Sequence, residues 1–105
     1  MASVAQIGTS TITGRVTDPS GAIVPEVKIT VVQKATNFTS TAVTNTEGIY
    51  RVLSLQPGEY VVTFEASGFK RIVRDGLELR TGETLAVDTA MQVGQVTESI
   101  EVQGS

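Results

Sequence analysis

The sequence predicts an all-β fold, a Greek-key sandwich of seven or eight short antiparallel strands. Apolar and polar residues alternate along several short segments, as they do on strands that bury one face. Val, Ile and Thr, whose branched side chains suit a pleated sheet, are frequent in those segments. Gly, Pro, Asn and Asp separate them at roughly 8–12-residue spacing, which is typical of the turns of a sandwich. No segment has the apolar periodicity of a helix.

Three strands are predicted in the N-terminal part, after a flexible tail over residues 1–9. The first strand is expected over residues 10–17 and ends at residues 18–21, where Asp, Pro, Ser and Gly each favour a turn. The second strand is expected around residues 27–31. A weak pattern of Thr, Ser, Ala and Val over residues 39–44 indicates a short edge strand. The residues expected to face the core are Ile12, Gly14, Val16, Val27, Ile29 and Val31.

The strongest strand prediction covers residues 59–66. Tyr60, Val62 and Phe64 alternate with more polar neighbours, so one face of this strand belongs to the core. Pro57-Gly58 precedes it and fits the centre of a type II turn, because Pro presets φ and Gly accepts a positive φ. The turn at Asn45-Thr46-Glu47-Gly48 and a strand over residues 49–53 come before it.

Two further strands complete the predicted core. Residues 69–79 form one strand, interrupted at Asp75-Gly76 by a bulge or a turn. Residues 84–91 form the last core strand, after a turn at residues 81–83. Residues 96–102 alternate once more, and they are either an eighth strand or a linker.

Length and composition exclude several classes of function. A chain of 105 residues fits one domain, and its net charge of −3 argues against electrostatic binding of nucleic acid. The absence of His and Cys removes the commonest catalytic base, the thiol nucleophiles, ordinary zinc sites and disulfides. We expect no cofactor. No apolar run approaches the ~20 residues of a membrane helix. Residues 1–8 lack the features of a secretory signal, so any export signal is expected to have been removed ahead of Met1.

An ordered set of motifs runs through residues 10–91. It comprises Thr13-Gly14-Arg15-Val16-Thr17-Asp18, Gly21, Pro25, Val27-Lys28-Ile29-Thr30-Val31, Thr44, Gly48, Tyr50, Leu55, Pro57-Gly58, Tyr60, Val62 and Gly68-Phe69. Together these motifs resemble the carboxypeptidase regulatory-like domain, a β-sandwich of the transthyretin or prealbumin type. The resemblance implies no peptidase activity, because such modules are appended to the enzyme and lack its zinc ligands.

The C-terminal part of the chain resembles one particular variant of this family. Residues 85–102, ending in Met-Gln-Val-Gly-Gln-Val-Thr-Glu-Ser-Ile-Glu-Val, are similar to a variant that precedes the plug and barrel of Oar-like TonB-dependent outer-membrane receptors. This similarity implies a non-catalytic accessory domain at the periplasmic face of the outer membrane. Residues 92–105 would then be a C-terminal strand or a linker to the plug of the same chain. The function that the resemblance implies for this domain is to act as a spacer, to dock, or to contact carbohydrate or protein.

One short segment of the tail is a candidate for binding a partner. Glu98, Ser99, Ile100, Glu101 and Val102 are similar to the TonB box of these receptors, an extended stretch captured by the TonB protein. Such capture is strand addition, in which backbone hydrogen bonds give affinity and alternate side chains give register. The equally supported alternative is that this segment completes the sandwich.

Half of the basic residues are concentrated on one predicted hairpin: Lys70, Arg71, Arg74 and Arg80. They are a candidate contact patch for lipopolysaccharide, acidic glycans or the neighbouring plug. The favoured alternative is an edge that charge protects against unwanted strand pairing.

A second class of function is the stalk of a cell-surface adhesin or pilin-like protein. Pilin-type CnaB sandwiches, which resemble this fold, form an isopeptide from a Lys on the first strand, an acceptor on the last and a buried Glu. The corresponding candidates here are Arg15, Asp88 and Glu65. Strand alternation predicts that all three point to solvent, so the isopeptide is not expected.

The remaining charged residues indicate structure rather than chemistry. Catalytic carboxylate pairs need a buried member with a raised pKa, whereas all the candidates are expected at turns or on outward positions. Likewise, the oxygen donors that could bind calcium are too widely spaced and suit turns. The carboxylates are Glu59, Glu65, Asp75, Glu78 and Glu83, and the oxygen donors are Asp18, Asn45 and Glu47.

Overall fold

The fold is built from strands alone over the residues that the structure, a computed structural model, describes: 9–95 and 97–103. In these residues there is no helix of the length and apolarity needed to cross a membrane. The strands are β1 (Ser10–Thr17), β2 (Lys28–Gln33), β3 (Thr39–Val43), β4 (Ile49–Leu55), β5 (Gly58–Glu65), β6 (Arg71–Leu79), β7 (Thr84–Ala86), β8 (Thr89–Ala90) and β9 (Ser99–Gln103).

Two sheets pack face to face, and the predicted sandwich is confirmed. One sheet has the order β4-β1-β7, with β8 also paired to β1. The other sheet has five strands in the order β3-β2-β5-β6-β9. The predicted tail over residues 1–9 falls almost wholly outside the described residues.

The direction of pairing differs from the prediction at three places. Most pairs are antiparallel, but β1 pairs in parallel with β7 and β8, and β6 pairs in parallel with β9. Each of these strands arrives by a connection that is not a tight hairpin, and only a tight hairpin forces antiparallel neighbours. The last core strand is also broken at Val87-Asp88 into β7 and β8, so the described chain has nine strands.

The Pro57-Gly58 prediction is wrong in its turn type. Gly58 is the first residue of β5 and has φ 150°, far from the roughly +80° of a type II turn. The connection crosses from one sheet to the other, since β4 and β5 do not pair with each other. A Cβ at Gly58 would meet the Nε2 of Gln33 at 2.6 Å. That atom is the far end of a flexible side chain and can move aside, so glycine is favoured here by the positive φ rather than by crowding.

The interior confirms the alternation of β5. Tyr60, Val62 and Phe64 are at most 1% exposed. Phe64 contacts Tyr50 of the opposite sheet edge-to-face, with ring centroids 5.6 Å apart, a favourable geometry for aromatic pairs. The buried apolar core comprises Ile12, Val16, Val24, Val27, Ile29, Val31, Tyr50, Val52, Leu55, Tyr60, Val62, Phe64, Ile72, Leu77, Leu79, Val87 and Met91.

Side chains cap the turns that the sequence predicts. The Oδ1 atom of Asp18 accepts hydrogen bonds from the backbone N–H groups of Ser20 and Ala22. In the same way, Oδ1 of Asn45 accepts from the N–H groups of Glu47 and Ile49. Both residues therefore serve the turns.

Candidate interaction site

Most of the segment that is similar to a TonB box lies in β9, the outer strand of the five-stranded sheet. β9 lies beside β6, with Ile100 opposite Ile72. Ile100 is half-buried against the core, whereas the side chain of Glu101 is exposed. Of the two alternatives left open for residues 96–102, the structure has a strand over Ser99–Gln103, and Val96 lies outside the described residues.

Only one side of β9 is paired in the described chain. The N–H of Arg71 donates to the carbonyl of Glu98 at 2.8 Å. In a parallel ladder every second residue bonds to the same neighbour, so the backbone of Ile100 also faces β6. The N–H and C=O groups of Ser99 and Glu101 therefore point to the open edge. These are the backbone groups that an added strand would use.

The chain ahead of β9 is fastened to the start of β6. The N–H of Lys70 donates to the carbonyl of Gln92 at 2.8 Å, and that of Gly94 donates to Gly68 at 3.1 Å. These two bonds hold the chain beside the start of β6 just before β9 begins. The open edge is thus presented by a strand with a defined register.

A bulge at residues 75–76 turns one predicted patch residue inward. Tyr60 lies opposite Leu77, whereas Val62 lies opposite Arg74, so β6 holds one more residue than β5 between these pairs. Cross-strand partners share a face, and Val62 is fully buried, so the Arg74 side chain faces the core. Its Nε atom is buried without a hydrogen-bond partner among the described residues. The predicted interruption of this strand is confirmed as a bulge.

The other three basic residues of the patch have different surroundings. Arg71 forms an ion pair with Glu65, with N and O 3.7 Å apart. Lys70 is half-buried where the chain enters β6, and Arg80 is exposed just beyond the other end of that strand. Nine residues of strand span about 30 Å, so Lys70 and Arg80 do not share one contact surface. The prediction of one hairpin is wrong, because β6 and β7 belong to different sheets, and the edge interpretation is wrong, because β6 lies between β5 and β9. A contact role for the four basic residues stays a prediction.

An unpredicted ion cluster on the outside of the same sheet joins β5 and β6 to the residue that follows β2. The Nζ of Lys34 lies 2.8 Å from Oδ1 of Asp75 and 3.3 Å from Oε2 of Glu59. The hydrogen bond from Lys34, with another from the N–H of Gly76, lowers the pKa of Asp75. A general acid needs a raised pKa, so Asp75 is unsuited to that role. The cluster was not predicted from the sequence, because its members are distant along the chain.

A shallow cleft of about 540 Å³ opens beside this cluster, at the ends of β5, β6 and β7. Carboxylates dominate its polar lining, and no aromatic side chain contributes to it. The residues that line it are Glu59, Gly76, Leu77, Glu78, Arg80, Glu83 and Leu85. No set of three potential ligands with metal-binding geometry occurs among residues 9–95 and 97–103.

The three residues considered for an isopeptide are not arranged for that bond. Asp88 does approach β1, but its Oδ1 accepts a 2.9 Å hydrogen bond from the backbone N–H of Arg15. The guanidinium of Arg15 is not the primary amine that the bond requires, and both residues are exposed. Glu65 is half-buried and paired with Arg71.

The comparisons agree with this fold. The family model for the carboxypeptidase regulatory-like domain matches residues 11–92. The TonB-dependent transporter Oar of Myxococcus xanthus is 32% identical over 97 residues, which is 91% of this chain and 9% of the transporter. The chain therefore spans less than a tenth of the length of that relative.

Solved structures show the same architecture at low identity. The TIE protein of Bacillus anthracis superposes with a TM-score of 0.66 and 22% identity, over 83% of this chain and 16% of that one. Hydroxyquinol 1,2-dioxygenase from Pseudomonas putida DLL-E4 superposes with a TM-score of 0.65 and 11% identity, over 83% and 57% of the two chains. At these identities the likeness concerns the fold alone.

Proposed function

The chain belongs to the carboxypeptidase regulatory-like domain family, and we propose that it is a non-catalytic interaction domain of a TonB-dependent outer-membrane receptor. In this proposal the domain lies on the periplasmic side of the membrane, ahead of the plug and barrel of the same chain. The similarity to the Oar transporter, which extends across most of this chain, supports the proposal.

The chemistry of the side chains supports a role without catalysis. The chain contains neither His nor Cys, so acid–base or nucleophilic work would fall to carboxylates. The pKa of Asp75 is lowered by its contact with Lys34, and that of Asp18 is lowered by hydrogen bonds within its turn. Both shifts favour a permanently charged group over one that exchanges protons near neutral pH.

The partner proposed for the open edge of β9 is the periplasmic domain of the TonB protein. A strand of TonB would pair with Ser99 and Glu101, whose backbone groups face away from β6. The five-stranded sheet would become six-stranded without loss of the existing ladder. The single observation that carries this proposal is that the TonB-box-like segment is a strand with one side unpaired among the described residues.

Titration of the TonB periplasmic domain against the whole chain tests the proposal. The variant Glu101→Pro removes one outward N–H and leaves the bonds to β6 in place, since an edge strand tolerates Pro at such a position. We expect it to weaken binding by about tenfold, which is the scale of one or two hydrogen bonds. Deletion of residues 98–102 is expected to abolish binding.

The matched control is Thr41→Pro, which places the same substitution on β3 at the opposite edge of the same sheet. It is expected to bind TonB as the unchanged chain does. Equal affinity of the unchanged chain and Glu101→Pro would reject strand addition at this edge. Failure of the unchanged chain to bind TonB at all would reject TonB as the partner.

A further inference from the structure

The other edge of the five-stranded sheet lacks the protection that the remaining sheet edges carry. β3 is paired only with β2 in the described part of the chain. Residues 35–46, which include the whole strand, contain no charged side chain. Natural proteins guard such edges with charge, proline, bulges or very short strands, because an open edge accepts further strands.

Each of the other three edges has at least one of these guards. β4 carries the exposed Arg51 and an irregular register at Ser54, whose φ is 59°. β7 and β8 are short and are separated at Val87-Asp88. β9 carries the exposed Glu101, whose charge opposes pairing with the same strand of a second copy but not with a strand of different charge. The absence of a guard on β3 is therefore specific to that strand.

The hydrogen bonds to β2 determine which groups of β3 are free. The N–H of Thr44 donates to Val27, and the N–H of Gln33 donates to Phe38. In an antiparallel ladder the bonded pairs alternate, so Ser40 and Ala42 also bond to β2. The backbone groups of the alternate residues, Thr39, Thr41 and Val43, therefore point away from the sheet.

We propose that β3 is the site at which two copies of this chain pair, antiparallel and centred on Thr41. In this register Thr41 lies opposite Thr41 of the second copy, and Thr39 lies opposite Val43. Every outward backbone group of the strand then has a partner, and the two five-stranded sheets join into one continuous sheet.

The side chains are compatible with this symmetric register. No like charges meet, because the whole strand is uncharged, and Thr pairs and Thr–Val pairs suit neighbouring strands. The exposed apolar side chains Phe38 and Val43, each 59% exposed, lie at the two ends of the strand. An antiparallel arrangement brings each Val43 to within one residue of Phe38 of the second copy. The β3 strand of a second copy is therefore complementary to this β3 edge in charge, register and apolar character.

Sedimentation equilibrium of the whole chain tests the pairing. From low micromolar to millimolar concentration, the weight-average mass is expected to rise toward twice that of one chain. Thr41→Lys places a charge at the centre of the strand, and Thr41→Pro removes an outward N–H. Both variants are expected to remain monomeric over the same range. Glu101→Pro, at the opposite edge, is expected to dimerise as the unchanged chain does.

Cross-linking tests the register directly, because the chain has no Cys of its own. Thr41→Cys is expected to form a disulfide-linked dimer on mild oxidation, since directly opposed residues have Cα atoms about 5.5 Å apart, inside the range of disulfides. Val43→Cys alone is expected to stay monomeric, whereas a mixture of Thr39→Cys and Val43→Cys chains is expected to form mixed dimers.

A chain that stays monomeric to millimolar concentration would overturn the proposal. So would dimers that persist in both Thr41 variants, or dimers that are lost only with Glu101→Pro. These outcomes test only the pairing of β3. The binding of TonB to β9 is tested independently by the titration described above.

Discussion

The hydroxyl of Tyr50 donates a 2.7 Å hydrogen bond to the carbonyl of Val87 inside the core. Tyr50 belongs to β4, and Val87 lies at the break between β7 and β8, so the bond joins the two edges of one sheet across β1. Burial raises the pKa of the Tyr50 phenol, which keeps it protonated and able to donate.

Removing this hydroxyl is expected to destabilise the domain. Tyr50→Phe leaves the ring packing in place but deprives the buried carbonyl of Val87 of this donor. The expected loss is about 1–3 kcal/mol in the free energy of unfolding, the cost of an unsatisfied buried polar group. Urea denaturation followed by circular dichroism measures it. A midpoint equal to that of the unchanged chain would show that the bond contributes nothing.

Gly14 is expected to tolerate no side chain, because β1 passes directly under Val87. A Cβ at Gly14 would lie 2.0 Å from the carbonyl oxygen of Val87, a backbone atom that cannot move aside cheaply. We expect Gly14→Ala to cost about 3 kcal/mol or more, at the upper end of overpacking. Thermal denaturation of the purified variant measures the loss.

The control for Gly14→Ala is Gly21→Ala, which adds the same methyl group in open space at φ 91°. This change is expected to cost only about 1 kcal/mol, from backbone strain. If both substitutions cost the same, the close approach of Val87 is not the reason that residue 14 is glycine.

Thr44 is expected to be a buried structural hydroxyl. Its Oγ1 accepts from the N–H of Val27 at 2.8 Å and donates to the carbonyl of Val24 at 2.9 Å. Thr44→Val keeps the shape and removes both bonds, for an expected loss of about 2–4 kcal/mol. Thr46→Val, at an exposed turn position, is the control and should stay within about 0.5 kcal/mol. Similar urea midpoints for the two variants would contradict the structural role.

Stability is expected to be level through the neutral range and to fall in acid. The chain has no His to titrate near neutrality. The Ser20 hydroxyl lowers the pKa of Asp18, and Lys34 lowers that of Asp75, both from an ordinary value of 3.8. A lowered folded pKa stabilises the protein above the ordinary value, and this contribution is lost as the pH falls through the folded value.

The same linkage predicts a second decline in alkali. The hydrogen bond to Asp75 raises the pKa of Lys34 above 10.5, and burial raises that of Tyr50 above 10.0. These contributions are complete below the ordinary values and are lost as the pH rises through the folded values. Urea midpoints measured across pH test both the acid and the alkaline decline in stability. Tyr50→Phe is expected to make the alkaline decline smaller. A transition centred near pH 7 would contradict this account.

The sequence predicted the parts of the fold that depend on local alternation. Tyr60, Val62 and Phe64 are buried as expected, because the face of a strand residue follows from its position along the strand. Turn chemistry located Asp18 and Asn45 correctly for the same local reason. These features need no knowledge of the partner strand.

Features that depend on the partner strand were not predictable. Pro57-Gly58 does lie between two strands, but its chemistry does not reveal that β4 and β5 belong to different sheets. The inward turn of Arg74 follows from a bulge whose register is set by β5. Likewise, the side of β9 that is unpaired in the described part of the chain could not be inferred until its pairing with β6 was known.

Amide hydrogen exchange on β9, measured by NMR with and without the TonB periplasmic domain, tests whether TonB adds a strand to this edge. In the free chain the N–H groups of Ser99 and Glu101 face the open edge and should exchange rapidly, whereas that of Ile100 should be protected by β6. Bound TonB is expected to protect Ser99 and Glu101 and to leave Ile100 protected. Unchanged exchange at Ser99 and Glu101 in the bound state would contradict strand addition at this edge.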